Sequence, residues 1–123
     1  MALFNRKKER RASQRISFCM PVEYKLTGSK KFRKAVSCED ISGGGLRLLL
    51  PEEAGIKENI TVLLFPRDTK TPITIHCNVV WCKRCEKDNY MIGLKFLKIK
   101  EKDRFVEFLC EKLIDFSFNE KVR

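Results

Sequence analysis

The chain has 123 residues and carries 26 lysines and arginines against 16 aspartates and glutamates, which gives a formal charge of +10 at pH 7. That length supports one compact domain. A 43% hydrophobic share with 34% charged residues is typical of a soluble globular domain rather than a disordered chain. No apolar run approaches the roughly 20 residues of a membrane helix, so we expect no membrane insertion. The charge points to an anionic partner: nucleic acid, nucleotide or anionic lipid.

Half of this charge lies in a short N-terminal segment. Residues 6–15 carry a net charge of +5, because six basic side chains stand against Glu9. The basic side chains are Arg6, Lys7, Lys8, Arg10, Arg11 and Arg15. We predict that residues 1–15 form a flexible basic arm and that residues 16–123 form one folded domain. On composition alone, a solvated tail and an arm that closes on an anion explain the run equally well.

The six cysteines are predicted to be reduced. The N-terminus lacks the apolar region of a secretory signal, so we expect a cytoplasmic protein. Cys82 and Cys85 form a C-x-x-C pair, but a structural zinc site would need two further ligands at compatible spacing. We therefore expect no metal and leave a redox role of this pair open. Thiols predicted to pack as small hydrophobic side chains are those of Cys19, Cys38, Cys77 and Cys110.

Period-two alternation predicts six strands. The first has one apolar face, formed by Ile16, Phe18, Met20, Val22 and Tyr24. The others are predicted over residues 32–39, 46–50, 60–65, 73–82 and 90–96, separated by turn residues. In the fifth strand, Trp81 falls on the apolar face, which favours core packing over a place in the wall of a binding pocket.

Near residue 101 the period changes to that of a helix. Its apolar stripe is formed by Phe105, Phe108, Leu109, Leu113 and Phe116, and its solvated face carries Asp103, Glu107 and Glu111. Regular short strands followed by one helix predict an all-β fold, a six-stranded antiparallel β-barrel with a C-terminal amphipathic α-helix.

Catalytic signals are absent from the sequence. The single histidine, His76, lies in the middle of a predicted strand without a nucleophile or carboxylate pattern around it. No phosphate-binding loop, nucleophile elbow or zinc-protease pattern occurs. We therefore expect no catalytic residues and no enzyme activity.

Two motifs carry the functional signal. Arg11 and Arg15 form an R-x-x-x-R element at the junction of the arm and the first strand, and Asp40, Ser42 and Gly45 form a D-x-S-x-x-G element in a predicted turn. Each element alone is weak, because its residues are common in basic segments or in turns. In this order, with Asp40 25 residues after Arg15, the chain resembles the PilZ domain family, which binds the bacterial second messenger cyclic di-GMP. The segments 46–48, 79–81 and 92–96 also look like the family, whose fold is a six-stranded antiparallel barrel.

The resemblance implies a cyclic di-GMP site, with no other cofactor, formed by Arg10, Arg11, Arg15, Asp40, Ser42 and Gly45. The chemistry agrees with this. Guanidinium groups pair with phosphate oxygens or with guanine O6 and N7, and they stack on guanine. A carboxylate at position 40 matches the N–H donors of guanine, the serine hydroxyl donates or accepts, and a glycine lets the backbone approach the ligand.

Arg10 directly precedes the R-x-x-x-R element. In the family, an arginine at this position is associated with a stacked pair of ligand molecules, whereas an apolar residue goes with one ligand. The alternative is that Arg10 is one more charge in a basic run, and the sequence leaves the two readings equal.

The resemblance therefore implies a stand-alone receptor in which the ligand orders the arm over the barrel. A partner protein of flagellar, pilus, chemosensory, secretion or transcriptional machinery would read the changed surface. One alternative is a small basic β-barrel that binds RNA or single-stranded DNA; the predicted inward position of most aromatic side chains argues against it. Another is a PilZ-like interaction adaptor that binds no ligand, against which the intact motifs argue.

Overall fold

The computed structural model describes residues 20–66 and 71–121, with side chains described to residue 112. Seven antiparallel strands precede one helix: β1 (Val22–Leu26), β2 (Arg33–Lys34), β3 (Ser37–Ile41), β4 (Gly45–Leu50), β5 (Asn59–Leu64), β6 (Ile73–Arg84), β7 (Tyr90–Ile99) and α1 (Lys102–Lys121). The strands form one sheet in the order β2-β1-β5-β6-β7-β4-β3. The predicted arm, residues 1–15, and the predicted start of the first strand, residues 16–19, lie outside the described residues.

Residues 33–41 join the two ends of this sheet order. β2 pairs with β1, and β3 pairs with β4. Between them, the N–H of Ala35 donates to the carbonyl of Val22 (2.9 Å), and the N–H of Val36 donates to the carbonyl of Leu49 (2.7 Å). The chain thus changes its hydrogen-bonding partner from β1 to β4 between two adjacent residues. Because β2 and β3 stand at opposite ends of the sheet order, this brings the two ends together and the sheet curls into a barrel. The prediction of a β-barrel is confirmed, and the second predicted strand consists of two short ones, so that the count is seven.

The interior of the barrel holds the apolar residues of the alternating pattern. Those with essentially no exposed surface include Tyr24, Ile41, Leu46, Leu48, Leu50, Ile60, Val62, Leu64, Ile75 and Ile92. Burial of each such side chain contributes about 1.5–3 kcal/mol relative to leaving it in water. The period of two therefore predicts the inner face of most strands, and the residues between them form the outer face that a ligand can reach.

Tyr24 links strands β1 and β2 to the segment that follows β4. Its hydroxyl donates to Glu52 Oε2 (2.5 Å), which also accepts from Arg33 Nη1 of β2 (2.5 Å). Burial of the ring, followed by the hydrogen bond to the Glu52 carboxylate, raises the pKa of this phenol. The tyrosine therefore remains a neutral donor, and the three side chains connect β1, β2 and the segment after β4.

The start of α1 is anchored to the barrel. Phe105 and Phe108 are buried, and the ring of Phe105 packs edge-to-face on Phe96 with 5.3 Å between centroids. Glu101 accepts from the N–H of Thr74 (2.9 Å). The predicted apolar stripe is confirmed at these two phenylalanines, while the side chains of its distal members, Leu113 and Phe116, lie outside the description. Within the described residues, no helix combines the length and apolar character that a membrane span requires.

The thiols divide into buried and accessible ones. Cys38 and Cys77 are buried as predicted, and desolvation raises the pKa of Cys77 to about 12, so this thiol stays protonated near neutral pH. Cys110 is exposed, so the prediction that it packs inside is wrong. It lies outside the apolar stripe of the helix, whose members Phe105 and Phe108 are buried. Among the residues that the structure describes, no three His, Cys, Asp or Glu side chains are grouped as a metal site would need.

Candidate ligand-binding site

A β-bulge at Glu39 places Asp40 on the outer face of the barrel. Cys38 lies opposite Leu48, but Asp40 lies opposite Arg47, so one extra residue is inserted between the two pairs. Without it, Asp40 would lie opposite Leu46, whose side chain is in the core. A shift of one residue moves a side chain to the other face of a sheet. The bulge therefore directs the carboxylate outward, although only 4% of Asp40 is exposed.

The turn between β3 and β4 is closed by Ser42. Its N–H donates to the carbonyl of Gly45 (2.9 Å), its hydroxyl donates to the same carbonyl (3.3 Å), and the N–H of Gly44 donates to that hydroxyl (3.3 Å). Ser42 is only 5% exposed. The serine of the D-x-S-x-x-G element thus satisfies the backbone of a tight turn. These bonds fix the position of the serine hydroxyl, two residues after Asp40.

Gly45 is required by a close approach between β4 and β7. A Cβ built on this residue would lie 2.2 Å from the carbonyl oxygen of Leu94. The N–H of Phe96 also donates to the carbonyl of Gly44 (3.0 Å), so β7 holds the turn on a second side. Since the Cβ would collide with a backbone atom, which cannot move aside as a flexible side chain can, position 45 requires glycine.

Asp40 forms an ion pair with Arg47 across the β3–β4 ladder. Arg47 Nε lies 2.8 Å and Nη2 lies 2.5 Å from Asp40 Oδ2. The carboxylate side chain is 5% exposed and the arginine side chain 41% exposed. Because both donors come from one edge of the guanidinium, the pair holds Asp40 in one orientation while the rest of Arg47 faces solvent.

Trp81 lies on the same outer face, so the prediction that it packs in the core is wrong. A second bulge, at Val80, shifts the register between Val79 and Trp81 and turns the indole outward. The indole then covers Gly93, since a Cβ on that glycine would lie 2.2 Å from Trp81 Nε1. Trp81 is 38% exposed. An aromatic plane of this kind is a surface on which a nucleobase can stack.

These residues form one row across four strands. Asp40 pairs with Arg47, Arg47 with Gly93, and Gly93 with Trp81. Directly opposed residues in an antiparallel sheet point to the same face. The outer face therefore presents a carboxylate, a guanidinium and an indole in line, which matches the three groups that guanine and phosphate recognition needs: an acceptor, a cation and an aromatic plane. We call Asp40, Arg47, Gly93 and Trp81 the outer row.

The structure brings together three of the six predicted site residues. Asp40, Ser42 and Gly45 lie in and beside one turn, while Arg10, Arg11 and Arg15 lie outside the described residues. Sequence reasoning did not assign Arg47 to the site. The sequence does contain a signal for it. Positions 40 and 47 are nearly symmetric about the predicted turn, so in a hairpin with one bulge these two residues lie opposite each other.

Comparisons with known proteins agree with this fold. Two solved structures resemble the chain: Bacillus subtilis Inhibitor of motility (MotI/DgrA), at TM-score 0.67 and 18% identity over 89% of this chain, and MrkH of K. pneumonia in complex with c-di-GMP, at TM-score 0.63 and 17% identity over 91% of this chain. They share the fold, and this chain spans 52% and 53% of their lengths. No curated protein matches the sequence. The PilZ domain family matches residues 9–118, which cover both motifs and all seven strands, and the chain therefore belongs to the PilZ domain family.

Proposed function

We propose that this protein is a receptor for cyclic di-GMP. The observation that carries the proposal is the turn at the end of β3, where two almost fully buried polar residues, Asp40 and Ser42, accompany a glycine whose Cβ position is blocked by the backbone of β7. The family membership and the MrkH structure, which contains c-di-GMP, support the same ligand.

The proposed site has two parts. The first is the basic arm, which supplies Arg10, Arg11 and Arg15 to the phosphodiesters and to guanine O6 and N7. The second is the outer face of β3, β4, β7 and β6, where Asp40 accepts from the N–H edge of guanine and Trp81 stacks on a base. Ser42 and Gly45 hold the turn that joins these groups.

In this proposal the ligand acts as a switch rather than as a substrate. Ligand phosphates neutralise the charge of residues 1–15, and the arm closes over the barrel of residues 16–123. A partner protein in the cytoplasm reads the new surface. The similarity to an inhibitor of motility supports flagellar machinery among the possible partners.

One observation favours a nucleic-acid ligand instead. Trp81 is exposed on a strand that also carries Lys83 and Arg84, and exposed aromatic residues among basic ones are typical of single-strand binding proteins. Asp40 argues against this ligand, because a protein that binds single strands without reading their bases has little use for a carboxylate, whereas a carboxylate matches the N–H donors of guanine. We therefore rank cyclic di-GMP first.

A titration of the full chain separates the ligands. The protein contains a single tryptophan, so its fluorescence reports on Trp81 alone. We expect cyclic di-GMP to change this fluorescence and to give a saturable heat in calorimetry, and GTP and an oligonucleotide to bind far more weakly at the same salt concentration. Binding of the oligonucleotide alone, with a steep salt dependence, would contradict the proposal. A stoichiometry near one ligand per chain would exclude the stacked pair that Arg10 suggests.

Replacing Trp81 with alanine should weaken cyclic di-GMP binding. Loss of base stacking costs about 1–3 kcal/mol per base, so we expect a Kd at least about fivefold higher in calorimetry. The W81F variant should retain part of the affinity, since it keeps an aromatic plane. Val80→Ala is the matched control, because Val80 is the exposed neighbour in the same strand. Equal affinities of W81A and V80A would remove the indole from the site.

A further inference from the structure

Arg47 uses only one edge of its guanidinium within the described structure. A guanidinium carries five N–H donors in a rigid fork, and Arg47 directs Nε and Nη2 at the same oxygen of Asp40. The Nη1 group makes no hydrogen bond to any residue that the structure describes. We call Nη1 and the outer hydrogen of Nη2 the free edge of Arg47. Since 41% of the Arg47 side chain is exposed, a ligand can reach this side chain from solvent.

The position of Arg47 in the sheet sets what lies near this edge. Gly93 is its partner on β7, and Trp81 is the partner of Gly93 on β6. Neighbouring strands are about 4.8 Å apart, so the backbones of Arg47 and Trp81 are separated by about two strand spacings. No side chain of Gly93 stands between them. A base stacked on the indole would therefore carry its attached phosphodiester close to the guanidinium.

The charges around Arg47 favour an anion. In the adjacent rows of the sheet, Lys95 lies opposite Gly45 and Lys83 lies opposite Met91, and both lysines are exposed. The carboxylate of Asp40 is already paired to the other edge of Arg47. A hydrogen-bond acceptor that approaches the free edge thus meets three cations on this face, namely Arg47, Lys83 and Lys95. The negative charge of Asp40 is offset by its ion pair with Arg47.

Resting on the proposed function, we propose that Arg47 is a further ligand residue of this site. One edge of its guanidinium orients Asp40 for the N–H donors of guanine, and the free edge binds a phosphodiester oxygen of cyclic di-GMP. A single planar group thereby couples base recognition to phosphate recognition. A lysine at this position could hold the carboxylate or the phosphate, but an ammonium is a point charge without two separate donor edges in one plane.

The test compares R47Q and R47K with R84Q. Arg84 is a matched control, because it also forms an ion pair across a few residues, with Asp88 (2.5 Å), but on the exposed β6–β7 hairpin. Calorimetry with cyclic di-GMP should show a loss of affinity of about 10- to 100-fold in R47Q, as expected for a charged hydrogen bond. R47K should remain at least about tenfold weaker than the unmodified protein, and R84Q should stay within about twofold.

Two outcomes would overturn the inference. If R47Q binds within twofold of R84Q, Arg47 does not contact the ligand. If R47K regains the original affinity, the arginine serves only as a counter-ion to Asp40, since a lysine can restore that charge. Thermal unfolding of both variants identifies any that fail to fold, and R47K then carries the test. Failure of the unmodified protein to bind cyclic di-GMP would instead refute the proposed function itself.

Discussion

Replacing Gly45 with alanine is expected to destabilise the barrel and to abolish ligand binding together. The new Cβ would lie 2.2 Å from the carbonyl oxygen of Leu94, and this oxygen belongs to the backbone of β7, which pairs with β4 on one side and with β6 on the other. It cannot yield as the end of a flexible side chain can. Forcing a methyl group into such a contact costs about 1–3 kcal/mol, and relief requires that β4 and β7 separate at the turn.

Urea denaturation measures this loss, and the neighbouring glycine provides the control. A Cβ on Gly44 meets no atom within 4 Å, so G44A adds the same methyl group one residue away without a collision. We expect G45A to unfold at a clearly lower urea concentration than G44A, with a free energy of unfolding lower by about 2 kcal/mol. If the two variants unfold alike, Gly45 is not required by packing and must be explained by contact with the ligand.

The comparison also separates two roles of the D-x-S-x-x-G element. In the described structure, Ser42 and Gly45 are satisfied by the protein itself: the serine bonds the turn, and the glycine permits the approach of β7. Asp40 differs, because its carboxylate is paired with the side chain of Arg47 rather than with the backbone of the turn, and a buried carboxylate is costly unless it is paired. The motif therefore combines two residues that build the turn with one that the turn and the Glu39 bulge present to a partner.

The strands that can be predicted from sequence are those with unbroken alternation. In these strands every second residue points inward, as the period of two requires: Val22 and Tyr24 in β1, and alternate residues from Ile73 to Val79 in β6. Alternation fails at bulges, because one inserted residue reverses every later side chain in the strand. Trp81 follows the bulge at Val80 and is therefore exposed, whereas the sequence pattern predicts it inside. Nothing in the residue types of this segment marks the insertion.

The site was predictable in its residue types but not in its geometry. The spacing of Asp40, Ser42 and Gly45 is visible in the chain and indicates a turn. The ion pair of Asp40 with Arg47 depends on which residues face each other across β3 and β4, and this depends on the bulge at Glu39. Long-range pairing of this kind is decided by the packing of the whole barrel, so a local pattern cannot specify it.

Replacing Arg11 and Arg15 together with alanine is expected to remove cyclic di-GMP binding while the barrel remains folded. Each charged hydrogen bond contributes about 1.5–3 kcal/mol, so the double variant should lose affinity by about 100-fold or more. Both residues precede the described strands, and neither belongs to the alternating apolar pattern that fills the core among the described residues. The midpoint of thermal unfolding without ligand should therefore change little, and calorimetry measures the loss of binding.

The control for this double variant removes the same charge from the same segment. Lys7→Ala with Lys8→Ala lowers the net charge of residues 6–15 from +5 to +3, as the arginine variant does. If long-range attraction of an anion by the basic arm were the source of affinity, both double variants would bind equally weakly, and salt would weaken them alike. If guanidinium groups pair with phosphate and guanine, only the arginine variant loses binding, because a lysine offers no planar fork. Equal loss in both variants would reduce the arm to an electrostatic tail and would leave recognition to Asp40, Arg47 and Trp81 on the barrel.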